Sequence, residues 1–230
     1  MPRVIAHEFG VSYHPNHVSR ILKKLGWTPQ KPITKASRRD ERSIEHWRKV
    51  TWPTIKKKAH LQGQRIVFID ESGFYLLPGV VRTYGLRGHT PELRVHLTRD
   101  HLAAITGISS EGHLYSLIRK GPISKLDTII FLRHLLRCIK RKLLIIWDGS
   151  PIHLTFDVKW FLANDASRRI HVEFLPPYAP DINPAEGVWN YLKNVELRNL
   201  SCSNLDHLHS KLSMSIEYLR FKPRIIFFRA

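Results

Sequence analysis

Apolar positions change period along the chain, and each change predicts a different architecture. Val18, Ile21, Leu22 and Leu25 recur at helical spacing, one apolar face of a short helix whose other face carries Ser19, Arg20, Lys23 and Lys24. Gly26 is placed to end that helix, and a shorter one over 4–9, closed by Gly10, is expected before it. Helix, glycine-containing turn and basic helix is the order of a helix-turn-helix, and equally of a plain helical hairpin with a solvated basic face. A second helical stripe, Ile44, Trp47, Thr51 and Ile55, must break or restart at Pro53.

From residue 65 the apolar runs shorten. Ile66-Val67-Phe68-Ile69 is continuously apolar, as in a strand covered on both faces, and Leu143-Leu144-Ile145-Ile146-Trp147 is a second such run. Residues 102–108 and 113–118 read as strands joined by the turn Ser109-Ser110-Glu111-Gly112. Residues 124–141 read as a helix with Leu126, Ile129, Ile130, Leu136 and Ile139 as its stripe, and Ser124 with Asp127 as a capping-box start. A helix over 155–165, a half-covered strand over 170–174, a helix beginning at Pro184 and another over 204–220 complete the series. Hairpin strands followed by alternating helices and strands predict a layered α/β sheet.

Charge divides the chain in two. Its 230 residues carry 37 lysines and arginines against 19 acids, a formal charge of +18, which points to a polyanionic partner, with nucleic acid ahead of an anionic membrane surface. Residues 1–60 hold 14 of the basic residues and 4 of the acids, including the run Lys56-Lys57-Lys58, so the basic and the layered regions are expected to have separate duties. No apolar run reaches the roughly 20 residues that span a bilayer, and the start lacks the apolar stretch of a secretory signal. Two cysteines, Cys138 and Cys202, exclude a disulfide framework and a cysteine-rich zinc site. A soluble protein of a reducing compartment is expected.

The candidate chemistry lies in carboxylates. Both continuously apolar strands run into an aspartate, Asp70 and Asp148, at the carboxyl end where α/β sheets place ligands. Were the two strands parallel neighbours, the two acids would emerge side by side and repel unless they share a cation, which points to a divalent metal. Either aspartate alone could equally be a helix cap or a turn residue. Glu186 has two readings also. It stands three residues past Asn183, in the position of a capping-box partner, or else it is a metal ligand or catalytic acid on a first helical turn.

Three segments resemble a known family. Val67-Phe68-Ile69-Asp70-Glu71-Ser72-Gly73-Phe74, Ile146-Trp147-Asp148-Gly149-Ser150-Pro151-Ile152-His153 and the long block from Leu175 through Pro176-Pro177-Tyr178-Ala179-Pro180-Asp181-Ile182-Asn183-Pro184-Ala185-Glu186 to Trp189 are similar to the signature blocks of DDE transposases. The branch they most resemble is the bacterial insertion-sequence (IS six-thirty) group of the Tc/mariner superfamily. Residues 15–32, ending Leu25-Gly26-Trp27-Thr28-Pro29-Gln30-Lys31-Pro32, are similar to the second winged helix-turn-helix that precedes that catalytic domain. The 38 positions from Asp148 to Glu186 suit the family.

The resemblance implies an RNase H-like α/β fold, a mixed five-stranded sheet flanked by helices and preceded by a partial winged helix-turn-helix. The expected layout is a DNA-binding segment over 1–33, a basic helical linker over 34–62 and the catalytic domain over 63–230. Asp70, Asp148 and Glu186 match the catalytic triad. They are expected to hold two Mg²⁺ or Mn²⁺ ions, Asp70 bridging both, Asp148 on one and Glu186 on the other; the hard oxygen set disfavours zinc. The implied activity is cutting at the ends of an insertion element, then attack of the freed 3′-hydroxyl on target DNA. An RNase H-like nuclease without strand transfer, or a defective fragment that only binds DNA, are the alternatives.

The remaining expectations concern neighbours and partners. Glu71 is excluded from the triad because adjacent strand residues point to opposite faces. Asp181 is expected in a structural turn, and His153 in a second layer behind the aspartates, in contact with DNA, or as an ordinary structural histidine. Asn16, His17, Arg20, Lys23 and Lys24 are the expected DNA contacts of the recognition helix, and Lys193, seven residues past Glu186, is expected to meet a phosphate near the metals. DNA is the implied partner, with a homodimer to pair two element ends, no small-molecule substrate and no membrane; the implied location is the bacterial cytoplasm, on the nucleoid when bound. Family members usually carry further DNA-binding helices ahead of the winged segment, so binding to element ends is expected to be impaired even with the triad intact.

Overall fold

A strand that is apolar at every position is stable only between two covering layers. The sheet is centred on two such strands. β1 (Arg65–Tyr75) pairs antiparallel with β2 (His101–Ser109), and β2 antiparallel with β3 (Leu114–Lys120). On its other side β1 runs parallel to β4 (Leu143–Trp147), and β4 parallel to β5 (Ile170–Phe174), giving the order β3-β2-β1-β4-β5. The expected mixed five-stranded sheet flanked by helices is therefore observed. The computed structural model describes residues 2–30 and 36–222, and the chain divides into two compact units, Met1–Ser37 and Arg38–Ala230.

Alternation along β1 sorts its side chains between two layers. Val67 and Ile69 pack with Ile105, Ile145 and Trp147 against α5 (Lys125–Cys138) and α6 (Phe156–Ala163). Ile66 and Phe68 face the other way, where Leu144 and Ile146 join them under α3 (Glu41–His46) and α4 (Trp52–Leu61). Further along that second face, Phe74, Leu102 and Ala104 meet α7 (Pro184–Tyr191) and α8 (Leu205–Arg220) through Ala185, Val188, Trp189, Leu212 and Ile216.

The stretch expected as a linker over 34–62 is, in its described part, a covering layer of this core. Ile44, Trp47, Ile55 and Ala59 are all buried against the sheet, because their apolar stripe has a matching apolar face on β1 and β4 to rest on. The boundary expected between 33 and 34 lies outside the described residues. Pro53 restarts the helix rather than ending it: a π-helical turn, Trp47–Thr51, leads into α4 and carries the chain past the missing proline amide.

The buried face of α5 matches the expected one only in part: Ile139 is buried and Ile129 and Leu136 pack against the core. Thr128, Phe131, Leu132 and Leu135 are buried, whereas Leu126 and Ile130 are exposed. Apolar residues occur on both sides of this helix, so helical spacing alone fits either set, and contact with the sheet decides. The Ser124–Asp127 capping box is formed in both directions.

In the first unit, α1 (Pro2–Phe9) ends at Gly10 and α2 (Pro15–Lys24) follows. Gly10 and Gly26 both take left-handed backbone, with φ of +66° and +80°, which a glycine adopts without strain. Beyond Gly26 the Trp27 amide turns back to the Leu22 carbonyl, closing the helix in the manner of a Schellman motif. That closure leaves Leu25 at the helix cap and exposed, so of the expected apolar face Val18 alone is fully buried.

Candidate active site

Strand register alone brings two acids together. β1 and β4 pair in parallel from Arg65 with Leu143 to Phe68 with Ile146. Continued two residues further, the same offset sets Asp70 level with Asp148. Asp70 shares the face of Ile66 and Phe68, where the first turn of α7 arrives with Glu186. Asp70, Asp148 and Glu186 line one open pocket of about 400 Å³, walled by the loop over residues 175–183.

Each carboxylate is oriented by a different device. Asp70 is buried, and its Oδ2 accepts a 2.9 Å hydrogen bond from the indole Nε1 of Trp189, one turn beyond Glu186 on α7. Burial pushes the Asp70 carboxyl up to about 7; the Trp189 bond opposes this, and the negative charges of Glu186, Glu71 and Asp148 add to it. Asp148 is half-exposed. Its Oδ1 accepts from the Ser150 amide at 3.2 Å and from His153 Nδ1 at 2.9 Å. Burial alone would raise the Asp148 carboxyl, but the His153 hydrogen bond and charge outweigh it and bring it below the ordinary carboxylate value.

His153 is fully buried in a 3₁₀ turn, Pro151–Leu154, against the Trp147 ring at 3.8 Å between centroids. Its Nε2 reaches Glu71 Oε1 at 3.0 Å. Burial disfavours a charged ring here, yet the hydrogen bonds to Asp148 and Glu71 prevail and push the imidazole up to about 9. Glu71 does lie on the opposite face from Asp70, as alternation requires. It is nevertheless joined to the site around the end of β4, through His153.

Glu186 does not act as the capping-box partner of Asn183. The Asn183 amide already donates to the Pro180 carbonyl at 3.0 Å, and the Asn183 side chain caps α7 by accepting from the Ala185 amide at 3.1 Å. The Glu186 carboxylate is exposed at the pocket instead. The loop before it is braced from α3's leading end. Arg39, nearly buried, spans both Asp181 oxygens at 2.5 and 3.2 Å and donates to the Tyr178 carbonyl at 3.0 Å. Tyr178 has a φ of 56°, an uncommon conformation for a residue with a side chain. Asp181 thus serves the loop and not the pocket.

The other expected site residues lie elsewhere. Lys193 does not line the acidic pocket; its ammonium sits 5.4 Å from the Phe74 ring centroid. α7 gives way at Leu192–Glu196 to a π-helical turn, in which Lys193 lies. Asn16, His17, Arg20, Lys23 and Lys24 are all exposed on α2, where His17 stacks with Tyr13. Three residues here were not singled out by sequence reasoning for these roles: Trp189, Glu71 and Arg39. The Trp189 signal lay in the third block, one helical turn past Glu186; Arg39 lay in a basic run that gave no hint of its partner.

Three carboxylates lining one pocket offer the hard oxygen donors that a divalent cation takes, and a cation there would offset the burial and like charges that raise the Asp70 carboxyl. Among the described residues, the group whose ligand atoms lie within 4.8 Å of one another is a different one, Glu71, Asp148 and His153. In that second cluster, however, both ring nitrogens of His153 are already engaged by carboxylate oxygens. Among the described residues no helix is long and apolar enough to cross a membrane.

Comparison with known proteins agrees with this geometry. Residues 65–209 match the DDE superfamily endonuclease family and residues 3–51 the winged helix-turn-helix family. A search of curated protein sequences found no match. Among solved structures, the chain is similar to the mariner Mos1 paired end complex with Mg, with a TM-score of 0.73 and 17% identity over 98% of this chain and 70% of that one. It is similar also to the Mos1 strand transfer complex, with a TM-score of 0.67 and 18% identity over 97% and 71%. At such identity the likeness is one of fold, and that fold is RNase H-like. With the family match spanning the sheet, all three pocket carboxylates and the first turn of α8, the chain belongs to the DDE superfamily endonucleases.

Proposed function

We propose that the protein is a DNA transposase of the Tc/mariner superfamily, in its bacterial insertion-sequence (IS six-thirty) branch. It cuts at the ends of its element and joins the freed 3′-hydroxyl to target DNA. The observation that carries this is the lining of one open pocket by Asp70, Asp148 and Glu186, three acids separated by 78 and 38 positions in the chain. Asp70 and Asp148 would hold the divalent cations together with Glu186. Bound there, Mg²⁺ or Mn²⁺ activates the attacking oxygen and stabilises the leaving one.

The protein's own part is to fix oxygen positions. Trp189 fixes one Asp70 oxygen and His153 one Asp148 oxygen, so each aspartate turns its other oxygen free of those bonds. Arg39 braces the loop that leads into Glu186. The exposed basic residues of α2, with Asn16 and His17, would contact DNA, and Lys193 a phosphate beside the pocket. Pairing of two ends supports a homodimer; the solved mariner structure is likewise a paired end complex.

The test uses DNA from the flanks of the protein's own gene. In Mg²⁺ the wild type should nick that DNA and join a pre-cut 3′-hydroxyl end to plasmid, while Asp148→Asn should do neither. Equal nicking by both proteins would refute the site. Nicking without joining would leave a nuclease.

A further inference from the structure

We infer that Thr106 is a positioning residue for Asp70: its buried hydroxyl is the second hydrogen-bond donor that the Asp70 carboxylate takes up when a cation binds. The inference rests on the transposase assignment above and concerns how one of its proposed metal ligands is held.

Thr106 lies in the middle of β2, directly across from Asp70 on β1. Partners in an antiparallel pair project to the same face with Cβ atoms about 4.5–5.5 Å apart, so side-chain rotation alone brings a threonine hydroxyl within reach of a carboxylate oxygen. Thr106 is 1% exposed, and its Oγ1 has no hydrogen-bond partner among the described residues. Its neighbours at alternate positions of β2, Leu102, Ala104 and Ile108, are buried in the core under α7 and α8. An unpaired hydroxyl is costly in such surroundings, and a valine would fill the same space without that cost. Asp70 is short of a partner too. Trp189 donates to Oδ2, and no donor among the described residues reaches Oδ1.

One other polar residue stands across from Thr106, Ser116 on the edge strand β3. Ser116 already accepts from the Arg220 guanidinium at 3.5 Å, and it is only half-buried. Asp70 is the stronger acceptor, because a carboxylate has about four lone-pair positions and its hydrogen bonds exceed those between neutral groups. Thr106 approaches along the sheet from β2, whereas Trp189 approaches from α7. Two donors from different elements hold the carboxylate against rotation, and lone pairs remain for an ion. A hydroxyl that gains its partner when Asp70 is loaded adds that bond to the free energy of ion binding.

The experiment compares Thr106→Val, which keeps the shape and removes the hydroxyl, with Thr106→Ser, which keeps the hydroxyl and removes a methyl group. Mn²⁺ affinity is measured on the full chain by calorimetry, and thermal melting in the presence of a chelator. Thr106→Val should weaken Mn²⁺ binding roughly tenfold, while its Tm in chelator equals or exceeds that of the wild type, because an unpaired polar group has left the core. Thr106→Ser should do the reverse, with a lower Tm from the lost methyl group and a Mn²⁺ affinity within about twofold of wild type. A merely structural role would move both quantities together. Wild-type Mn²⁺ affinity in Thr106→Val, or a loss in Thr106→Ser as large as in Thr106→Val, would overturn the inference. So would a lowered Tm of Thr106→Val in chelator, which would show the hydroxyl bonded without the ion, as to Ser116. Asp70→Asn, measured alongside, keeps the two readings apart: if it binds Mn²⁺ as tightly as the wild type, Asp70 is no ligand and the site assignment itself fails.

Discussion

Asp70, in the middle of β1, and Asp148, just past the end of β4, stand at the same level of one sheet, yet the protein treats them oppositely. Asp70 is buried beside a neutral indole donor and surrounded by like charges, and its carboxyl is raised to about 7. Asp148 is half-exposed beside a buried imidazole and an amide, and its carboxyl is lowered. Strand position therefore fixes where an acid stands, and the segment packed against it fixes its charge. For Asp70 that segment is α7. For Asp148 it is the 3₁₀ turn that immediately follows β4.

The largest expected effect treats the two acids alike. Asp70→Asn and Asp148→Asn should each reduce nicking in Mg²⁺ by at least about a thousand-fold, about 4 kcal/mol of barrier, measured by plasmid relaxation. Activity from either variant near the wild-type level would break the comparison at its root.

Stability should then separate them. Asp70 binds a proton more tightly folded than unfolded, so it stabilises the fold below about pH 4, and that contribution is lost as pH rises through 7. Asp70→Asn should consequently stabilise the metal-free protein above pH 7, by on the order of a few kcal/mol at about 1.4 kcal/mol per pKa unit, and raise its Tm there. Asp148 has the opposite sign: its contribution is present above the unfolded carboxylate range and lost as pH falls through its lowered folded value. Asp148→Asn should lower Tm at neutral pH, because it leaves the buried His153 with a weaker partner. Thermal melts from pH 4 to 8 without metal check both signs.

A smaller effect isolates the indole. Trp189→Phe keeps the ring in the core formed with Phe74 but removes the donor to Asp70. The Asp70 carboxyl should rise further, and Mn²⁺ affinity should fall about tenfold, as measured by calorimetry. The smallest effect belongs to the first unit. Lys23→Ala and Lys24→Ala on α2 should each reduce the salt slope of DNA binding by about one, measured by titration at several salt concentrations, with metal binding unaltered.

Strands and acids were legible in the sequence because fully buried strands leave a continuous apolar signature, and both such runs end in aspartate. The face of α5 was not legible: apolar residues sit on both its sides, and only the sheet selects Phe131 and Leu135 over Leu126 and Ile130. The π-helical turn after Tyr191 was not legible either, and Lys193 within it stands beside the Phe74 ring. Alternation assigned Glu71 to the far face correctly, but β4 ends beside it, so its side chain can meet a residue from beyond that strand, and no local pattern records that meeting. Likewise nothing in the run around Arg39 announces Asp181, its partner 142 positions away.

The central claim is that Asp70, Asp148 and Glu186 together hold the catalytic cations. Anomalous scattering from crystals of the protein soaked in Mn²⁺ tests it directly. The predicted result is manganese in the pocket within bonding distance of oxygens from all three carboxylates. Manganese bound by Glu71 and His153, with Glu186 making no contact, would contradict it.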